Sequence, residues 1–139
     1  MFVGLLIKDT PELLALRFLH TSAPLHLTLK HLGDVDVAWC VSQLQKVHSR
    51  RFTLTTQGVQ LLGRDVICLG VVHNKLLFTL QQKIDKVLSE RYEPQQSFVP
   101  HITLGRGVCI PFDFTYSVRV DAFYVCDSTY KVVKKFALQ

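Results

Sequence analysis

Two stretches of the chain, LHLTLKHLG at residues 25–33 and FVPHITLGR at residues 98–106, contain the same short pattern. Each has His, an aliphatic residue, Thr and Leu in that order, from His26 to Leu29 and from His101 to Leu104. With 6 His in 139 residues, composition alone gives less than one expected His-x-Thr triplet, so a lone match is weak. Two copies that also share the aliphatic residue and the Leu indicate an internal repeat.

Length and composition fit one domain over residues 1–139, large enough to bury a hydrophobic core. The net charge of +5 favours an anionic partner. No apolar run approaches the ~20 residues of a membrane-spanning helix, and MFVGLLIKD lacks the basic segment of a secretory signal. We therefore expect a soluble, cytoplasmic protein. Its four cysteines fall singly in the sequence and are predicted to be reduced and to fill the core: Cys40, Cys68, Cys109 and Cys126.

Hydrophobic periodicity predicts an alternation of strands and helices. Thr10 and Asn74 are predicted to cap two of the helices, and Asp34 and Asp36 to cap a third. The predicted strands are 2–8, 25–32, 51–63, 65–73, 101–106, 114–126 and 131–138, and the predicted helices are 11–19, 36–49 and a long one from Asn74 that ends before Pro94.

The two tetrapeptides each lie on a predicted strand. Because side chains alternate between the faces of a strand, His26 and Thr28 point the same way, as do His101 and Thr103. The aliphatic residues between them then face the core. If the two strands lie side by side, two imidazoles and two hydroxyls meet in one cleft.

Such a cleft suits phosphoryl chemistry. Of two histidines in one site, a neutral one accepts a proton while a charged one donates a proton. The two threonine hydroxyls add neutral donors for the non-bridging oxygens of a phosphate.

These residues carry a resemblance to a known family. The paired motifs in a small, basic chain resemble the 2H phosphoesterase superfamily, which is named for its two histidines. FVPHITLGR is similar to the F-x-P-H-Φ-T-Φ-x-R form, in which Φ is aliphatic, of the branch named for 2′-5′ RNA ligase. The C-terminal VDAFYVCDSTYKVVKKFALQ also resembles the closing pattern of the family.

The resemblance implies an α+β, bilobal fold of two pseudo-symmetric halves, with antiparallel sheets around a central groove and helices outside. It implies a metal-independent phosphodiesterase without a cofactor, in which His26 and His101 are the general base and acid, in an order that the sequence leaves open. Thr28 and Thr103 would orient the phosphate.

Further substrate contacts are also expected. Arg106 matches the basic residue that follows the second motif in the family, and Lys30 is taken as its counterpart after the first. Three aromatic residues are candidates for stacking on bases: Phe98, Tyr124 and Tyr130.

Within the superfamily, the short chain resembles the 2′,5′-phosphodiesterases of some RNA viruses, which destroy 2′,5′-oligoadenylate and keep the host RNase L silent. The terminal Leu138-Gln139 resembles the end that a viral 3C-like protease leaves. The main prediction is therefore a monomeric, viral 2′,5′-oligoadenylate phosphodiesterase in the host cytoplasm. A 2′,3′-cyclic phosphodiesterase or RNA-end-processing enzyme and an inactive RNA-binding module are the alternatives. No membrane or metal is expected as a partner.

Overall fold

The computed structural model describes residues 1–8, 10–20, 24–108 and 110–139, without the side chains of residues 17–20. It has eight strands and three helices in these ranges. The strands are β1 (Phe2–Leu6), β2 (His26–His31), β3 (Phe52–Leu62), β4 (Val66–Val71), β5 (His101–Arg106), β6 (Phe112–Val120), β7 (Ala122–Cys126) and β8 (Val132–Ala137). The helices are α1 (Pro11–His20), α2 (Val37–Leu44) and α3 (Lys75–Leu88).

All eight strands form one antiparallel sheet in the order β6-β3-β4-β5-β2-β1-β7-β8. The two strands that carry the motifs, β2 and β5, are neighbours at its centre. On either side, β1-α1-β2 and β4-α3-β5 repeat the same strand, helix and motif-strand unit. The predicted α+β fold of two pseudo-symmetric halves is therefore confirmed, with the sheets of both halves joined into one.

The helices cover one face of this sheet. Leu27 and Leu29 of β2 and Ile102 and Leu104 of β5 are buried there, in one core with the apolar residues of the helices. Helix α1 contacts β5 and helix α3 contacts β2, so each helix supports the motif strand of the other half. We call this the helix face and the opposite side of the sheet the open face.

The predicted helix starts agree with the structure. The Leu13 amide donates to the Thr10 hydroxyl at 3.3 Å, and the side chain of Asn74 accepts from the first amides of α3. Asp36 caps α2 by accepting from the Trp39 amide.

Two predicted elements differ from the structure. Helix α2 ends at Leu44 and not near residue 49, because the chain tightens into bonds from Lys46 N to Gln43 O and from Val47 N to Leu44 O. The predicted strand 114–126 is two strands separated by Asp121. The first, β6, pairs with β3 at one edge of the sheet, whereas β7 lies between β1 and β8 in the other half.

Three cysteines are free and buried, as predicted: Cys40, Cys68 and Cys126. Burial raises the pKa of each thiol above its ordinary value. Cys109 lies outside the described residues. None of the helices described is long and apolar enough to cross a membrane.

Candidate active site

The four motif side chains share the open face. The register places Leu27 opposite Ile102, and both are fully buried on the helix face. Alternation then sets His26 opposite Thr103 and Thr28 opposite His101. Directly opposite residues in an antiparallel pair have Cβ atoms about 4.5–5.5 Å apart, and diagonal ones about 7–8 Å. The two imidazoles thus occupy diagonal corners of a small square.

Both histidines are oriented by the same hydrogen bond. Nδ1 of His26 lies 2.9 Å from the carbonyl oxygen of Pro24, and Nδ1 of His101 lies 2.8 Å from that of Val99. A carbonyl oxygen only accepts, so Nδ1 carries the proton in each ring. Nε2 is then an acceptor in the neutral imidazole and a donor in the charged one, which is the property that acid–base catalysis needs.

Proline stiffens the backbone that supplies these acceptors. Pro24 has its own φ fixed by its ring, and Val99 is held extended by the ring of the following Pro100. The prolines thereby restrict the backbone next to the carbonyls that the two imidazoles contact.

Two aromatic rings pack against His26. Its ring centroid lies 4.8 Å from that of Phe2 and 5.1 Å from that of Tyr130. Gly4 permits this arrangement, because a Cβ there would lie 3.0 Å from the ring of Phe2 and 2.7 Å from the Leu27 carbonyl oxygen. The sequence predicts Phe2 only as a strand residue, and nothing in its pattern signals a contact with the site.

Tyr130 is held beside His26 by a tight turn. It has a positive φ of 64°, which is uncommon for a residue with a side chain. The Asp127 carboxylate accepts from Thr129 N at 2.8 Å, from Thr129 Oγ1 at 2.6 Å and from Lys131 N at 3.0 Å. These bonds, from Thr129 above all, lower the pKa of Asp127 below its ordinary value. The turn thus places Tyr130, which is 38% exposed, at the edge of the site.

Tyr124 lies on the open face, farther from the histidines. In the register Thr28 is opposite Gly4, Gly4 is opposite Tyr124, and Tyr124 is opposite Lys135. The ring of Phe2 lies over Gly4, 3.0 Å from the place of a Cβ, and separates Thr28 from Tyr124. Tyr124 and Lys135 lie beyond that ring, along the first half of the sheet.

Lys30 does not face the site, which corrects the expectation of a substrate contact there. Thr28 pairs with Gly4 and Lys30 pairs with Val3, so the strand has an extra residue, a β-bulge, at Leu29. The bulge reverses the alternation and turns Lys30 to the helix face, where it is 6% exposed.

The ammonium of Lys30 has two partners there. Nζ lies 2.5 Å from Oδ1 of Asp85 on α3 and 2.8 Å from the Glu93 carbonyl oxygen. Oδ2 of Asp85 in turn accepts from the Gln81 side chain and the Gln95 amide. This ion pair joins the first motif strand to α3 and to the segment that leads to His101.

The same bulge in the second half explains the placement of Arg106. Cys68 pairs with Thr103 and Ile67 with Gly105, so Leu104 is the extra residue. The structural counterpart of Lys30 is therefore Gly105, and that of Arg106 is His31. Both lie exposed at the ends of their strands. Arg106, 73% exposed, makes a surface ion pair with Asp65 at 3.1 Å, which is weak enough to exchange for a phosphate.

Phe98 is also placed differently from the prediction. Its ring meets that of Phe78 of α3 edge-on at 5.2 Å, and it lines a groove against α3 on the helix face. It is therefore a packing residue and not a stacking platform of the site.

Within the described part of the chain, no three His, Cys, Asp or Glu side chains are arranged so that they could hold a metal ion.

A family model and a relative of known name both assign the chain to one family. The model of the 2′-5′ RNA ligase superfamily matches residues 14–111, which include both motifs. This chain belongs to that superfamily. It is also 32% identical to an RNA 2′,3′-cyclic phosphodiesterase of Thermotoga maritima, over 76% of this chain and 67% of that protein.

Solved structures share the fold over nearly the whole chain. The protein TT0787 of Thermus thermophilus superposes with a TM-score of 0.79 at 17% identity, covering 98% of this chain and 96% of that one. E. coli LigT in complex with ATP gives a TM-score of 0.73 at 25% identity, covering 99% and 96%.

The buried ion pair leads to a stability prediction. Asp85→Ala leaves the Lys30 ammonium buried without its partner. We expect the free energy of unfolding, measured by urea titration, to fall by about 3–5 kcal/mol. The double variant Lys30→Met, Asp85→Leu removes both charges and is expected to recover most of that loss.

Asp65→Asn is the matched control, because it breaks the exposed pair with Arg106 and is expected to cost less than about 1 kcal/mol. Equal losses for Asp85→Ala and Asp65→Asn would contradict the structural role of the buried pair.

Proposed function

We propose that this phosphoesterase opens 2′,3′-cyclic phosphates at RNA ends, with His26 and His101 as its acid–base pair. The observation that carries the proposal is the matched orientation of the two imidazoles. Each donates Nδ1–H to a backbone carbonyl, and neither Nε2 has a hydrogen-bond partner among the residues that the structure describes. The Thermotoga relative is named for activity on 2′,3′-cyclic RNA ends, and that supports the choice of substrate.

The reaction follows from this geometry. The neutral imidazole takes a proton at Nε2 from a water molecule that attacks the cyclic phosphorus. The charged imidazole donates its Nε2 proton to the ribose oxygen that leaves, so the ring opens to a phosphate monoester. Because the rings lie at diagonal corners, the phosphate fits between them, with one ring on the side of attack and the other on the side of departure.

The hydroxyls of Thr28 and Thr103 occupy the other two corners. In this proposal they donate to the non-bridging oxygens, where negative charge grows in the transition state. Arg106 supplies a cation at the edge of the open face, and Tyr130 a surface beside His26 for the base or ribose of a neighbouring nucleotide of the RNA.

A second candidate, cleavage of 2′,5′-linked oligoadenylate, is favoured by the length of the open face. The row from Thr28 past the Phe2 ring over Gly4 to Tyr124 and Lys135 crosses three strand spacings, about 14 Å. A surface of that length suits an oligonucleotide better than a cyclic mononucleotide.

The same histidines serve this second reaction. The 3′-hydroxyl beside a 2′-5′ linkage, deprotonated by one imidazole, attacks the phosphorus, and the other imidazole protonates the departing 5′-oxygen. The product is a 2′,3′-cyclic phosphate. A viral antagonist of RNase L would use this activity.

Removal of either imidazole is the first test of the pair. We expect His26→Ala and His101→Ala each to lower kcat by at least about 100-fold, because a general acid or base contributes roughly 10²–10⁴-fold. His48→Ala, a histidine outside the site, is the control and is expected to keep full activity. Circular dichroism should show folded protein in all three, and more than about a tenth of wild-type kcat in either motif variant would disprove the two-histidine mechanism.

The pH dependence follows from the pair acting together. One imidazole must be neutral and the other protonated in the same molecule, so kcat/KM is expected to rise and then fall as pH increases, with two apparent pKa values that belong to the pair. Initial rates from about pH 4 to about pH 9 measure this. A rate that rises steadily over that whole range points to hydroxide or another base in place of the pair.

A substrate comparison separates the candidates. The protein is incubated in excess EDTA with adenosine 2′,3′-cyclic phosphate, 2′,5′-linked adenylate trimer or 3′,5′-linked trimer. The masses of the products are then measured by mass spectrometry. We expect the cyclic phosphate to gain one water and activity to persist in EDTA.

The other outcomes are equally clear. Cleavage of the 2′,5′ trimer alone would favour the second candidate. Binding of all three without any product would indicate an inactive RNA-binding module. Activity lost in EDTA and restored by Mg²⁺ or Mn²⁺ would contradict the metal-independent mechanism.

A further inference from the structure

A cavity of about 600 Å³ opens beside His101 in the second half of the sheet. Its floor includes Gly70, which lies directly opposite His101 in the pairing of β4 with β5. Residues 57–60 of β3, which include Gln57 and Gln60, line one side, and Val71 with residues 99–100 and 111–113 lines the rest. Cavities that hold small ligands commonly measure about 300–1,000 Å³. We call this the Gly70 cavity.

A β-bulge brings both glutamines into the Gly70 cavity. Gln57 and Gln60 are three residues apart, so regular alternation would place them on opposite faces. Gln57 pairs with Gly70, Val59 with Leu69 and Gln60 with Cys68, which makes Gly58, with φ +72°, the extra residue. Both amides therefore lie on the open face, on the same side of the sheet as the histidines.

Gly70 lets the amide of Gln60 lie close to the catalytic centre. A Cβ at residue 70 would lie 2.6 Å from Nε2 of Gln60, so the amide occupies the space that a side chain would fill. Strands are about 4.8 Å apart, which puts β3 about 10 Å from β5. That is on the order of the distance between the phosphate of a nucleotide and the far edge of its base.

The two amides have unused hydrogen-bonding capacity. Across residues 1–8, 10–20, 24–108 and 110–139, neither the Gln57 nor the Gln60 side chain makes a hydrogen bond with the protein. Val99 and Pro100 on one side and Pro111 and Phe112 on the other add apolar lining, and Asp113 adds a carboxylate that accepts hydrogen bonds. Apolar surfaces combined with several polar groups suit a flat, polar-edged ligand.

We propose that the Gly70 cavity binds the base of the nucleotide whose phosphate lies between the histidines, and that Gln57 and Gln60 select adenine. A glutamine amide presents a donor beside an acceptor, which matches the N6 amine and adjacent ring nitrogen of adenine. Cytosine carries the same pair of groups on a smaller ring, which reaches less far from the phosphate toward β3. On the corresponding edge of guanine two acceptors stand side by side, and one of them would face the amide oxygen. This inference rests on the proposed phosphodiesterase function for the position of the phosphate.

Base preference is measured first by binding, which does not require turnover. Nucleoside 3′-monophosphates of adenine, guanine, cytosine and uracil are titrated into ¹⁵N-labelled protein, and the side-chain amide signals of Gln57 and Gln60 are followed. We expect the adenine nucleotide to bind about 5- to 150-fold more tightly than the others, as a bidentate contact worth about 1–3 kcal/mol predicts, and to shift both amide signals. Equal affinities with no shift at either glutamine would overturn the proposal.

Gln60→Glu tests the chemistry of selection. The carboxylate replaces the donor with a second acceptor, so the ring nitrogen of adenine loses its partner, whereas guanine can donate its N1–H and N2 amine to the carboxylate. We therefore expect adenine to lose its advantage over guanine. The adenine-to-guanine ratio cancels the general repulsion of a new negative charge. Gln82→Glu, an exposed glutamine on α3, is the matched control and should leave the ratio unchanged.

Rates on the four nucleoside 2′,3′-cyclic phosphates separate this inference from the proposed function. Adenine-selective binding that Gln60→Glu abolishes supports the Gly70 cavity as the base site even if no cyclic phosphate is opened. Turnover of all four at equal rates, unchanged by Gln60→Glu, would leave the phosphodiesterase function standing and would overturn the base site.

Discussion

The site depends on the contact between β2 and β5 at the centre of the sheet. Leu27 lies opposite Ile102, and both side chains are fully buried against the helices. This pairing joins the two halves and sets the phase of both strands, so the residues before and after Leu27 and Ile102 must face the other way. A slip of one residue would bury the polar side chains of the motifs and expose the aliphatic ones. The loss of their burial in the core makes that register unstable.

Pseudo-symmetry supplies two similar histidines, and their surroundings make them different. His26 packs against Phe2 and Tyr130. His101, in contrast, stands opposite Gly70 at the edge of a cavity lined by glutamines. The equivalent bulges after the two threonines carry different residues, since the inward position holds Lys30 in the first half and Gly105 in the second, and the exposed position holds His31 and Arg106. A repeated fold thus offers two equivalent Nε2 atoms in unequal settings, as a reaction with distinct attacking and leaving groups requires.

The sequence predicts the regular part of this arrangement. Period-two alternation around His26 and His101 gives the faces correctly, and Thr10 and Asn74 mark the starts of helices. The irregular part has no local signal. The bulges at Leu29, Leu104 and Gly58 depend on how partner strands pair, so the burial of Lys30 and the common face of Gln57 and Gln60 cannot be obtained from alternation. Asp121 interrupts an otherwise continuous pattern because the chain there crosses from one half of the sheet to the other. Tyr130 reaches His26 only through a turn with positive φ that the Asp127 carboxylate stabilises.

The tautomers of the two imidazoles test the two-histidine site most directly. Long-range ¹H–¹⁵N correlation spectra of the labelled protein, at a pH where both rings are neutral, distinguish a protonated nitrogen from one with a free lone pair. The hydrogen bonds to the Pro24 and Val99 carbonyls predict that His26 and His101 both carry the proton on Nδ1 and leave Nε2 unprotonated. A proton on Nε2 of either neutral ring would contradict the account, since that ring would then face the substrate with no lone pair to accept a proton.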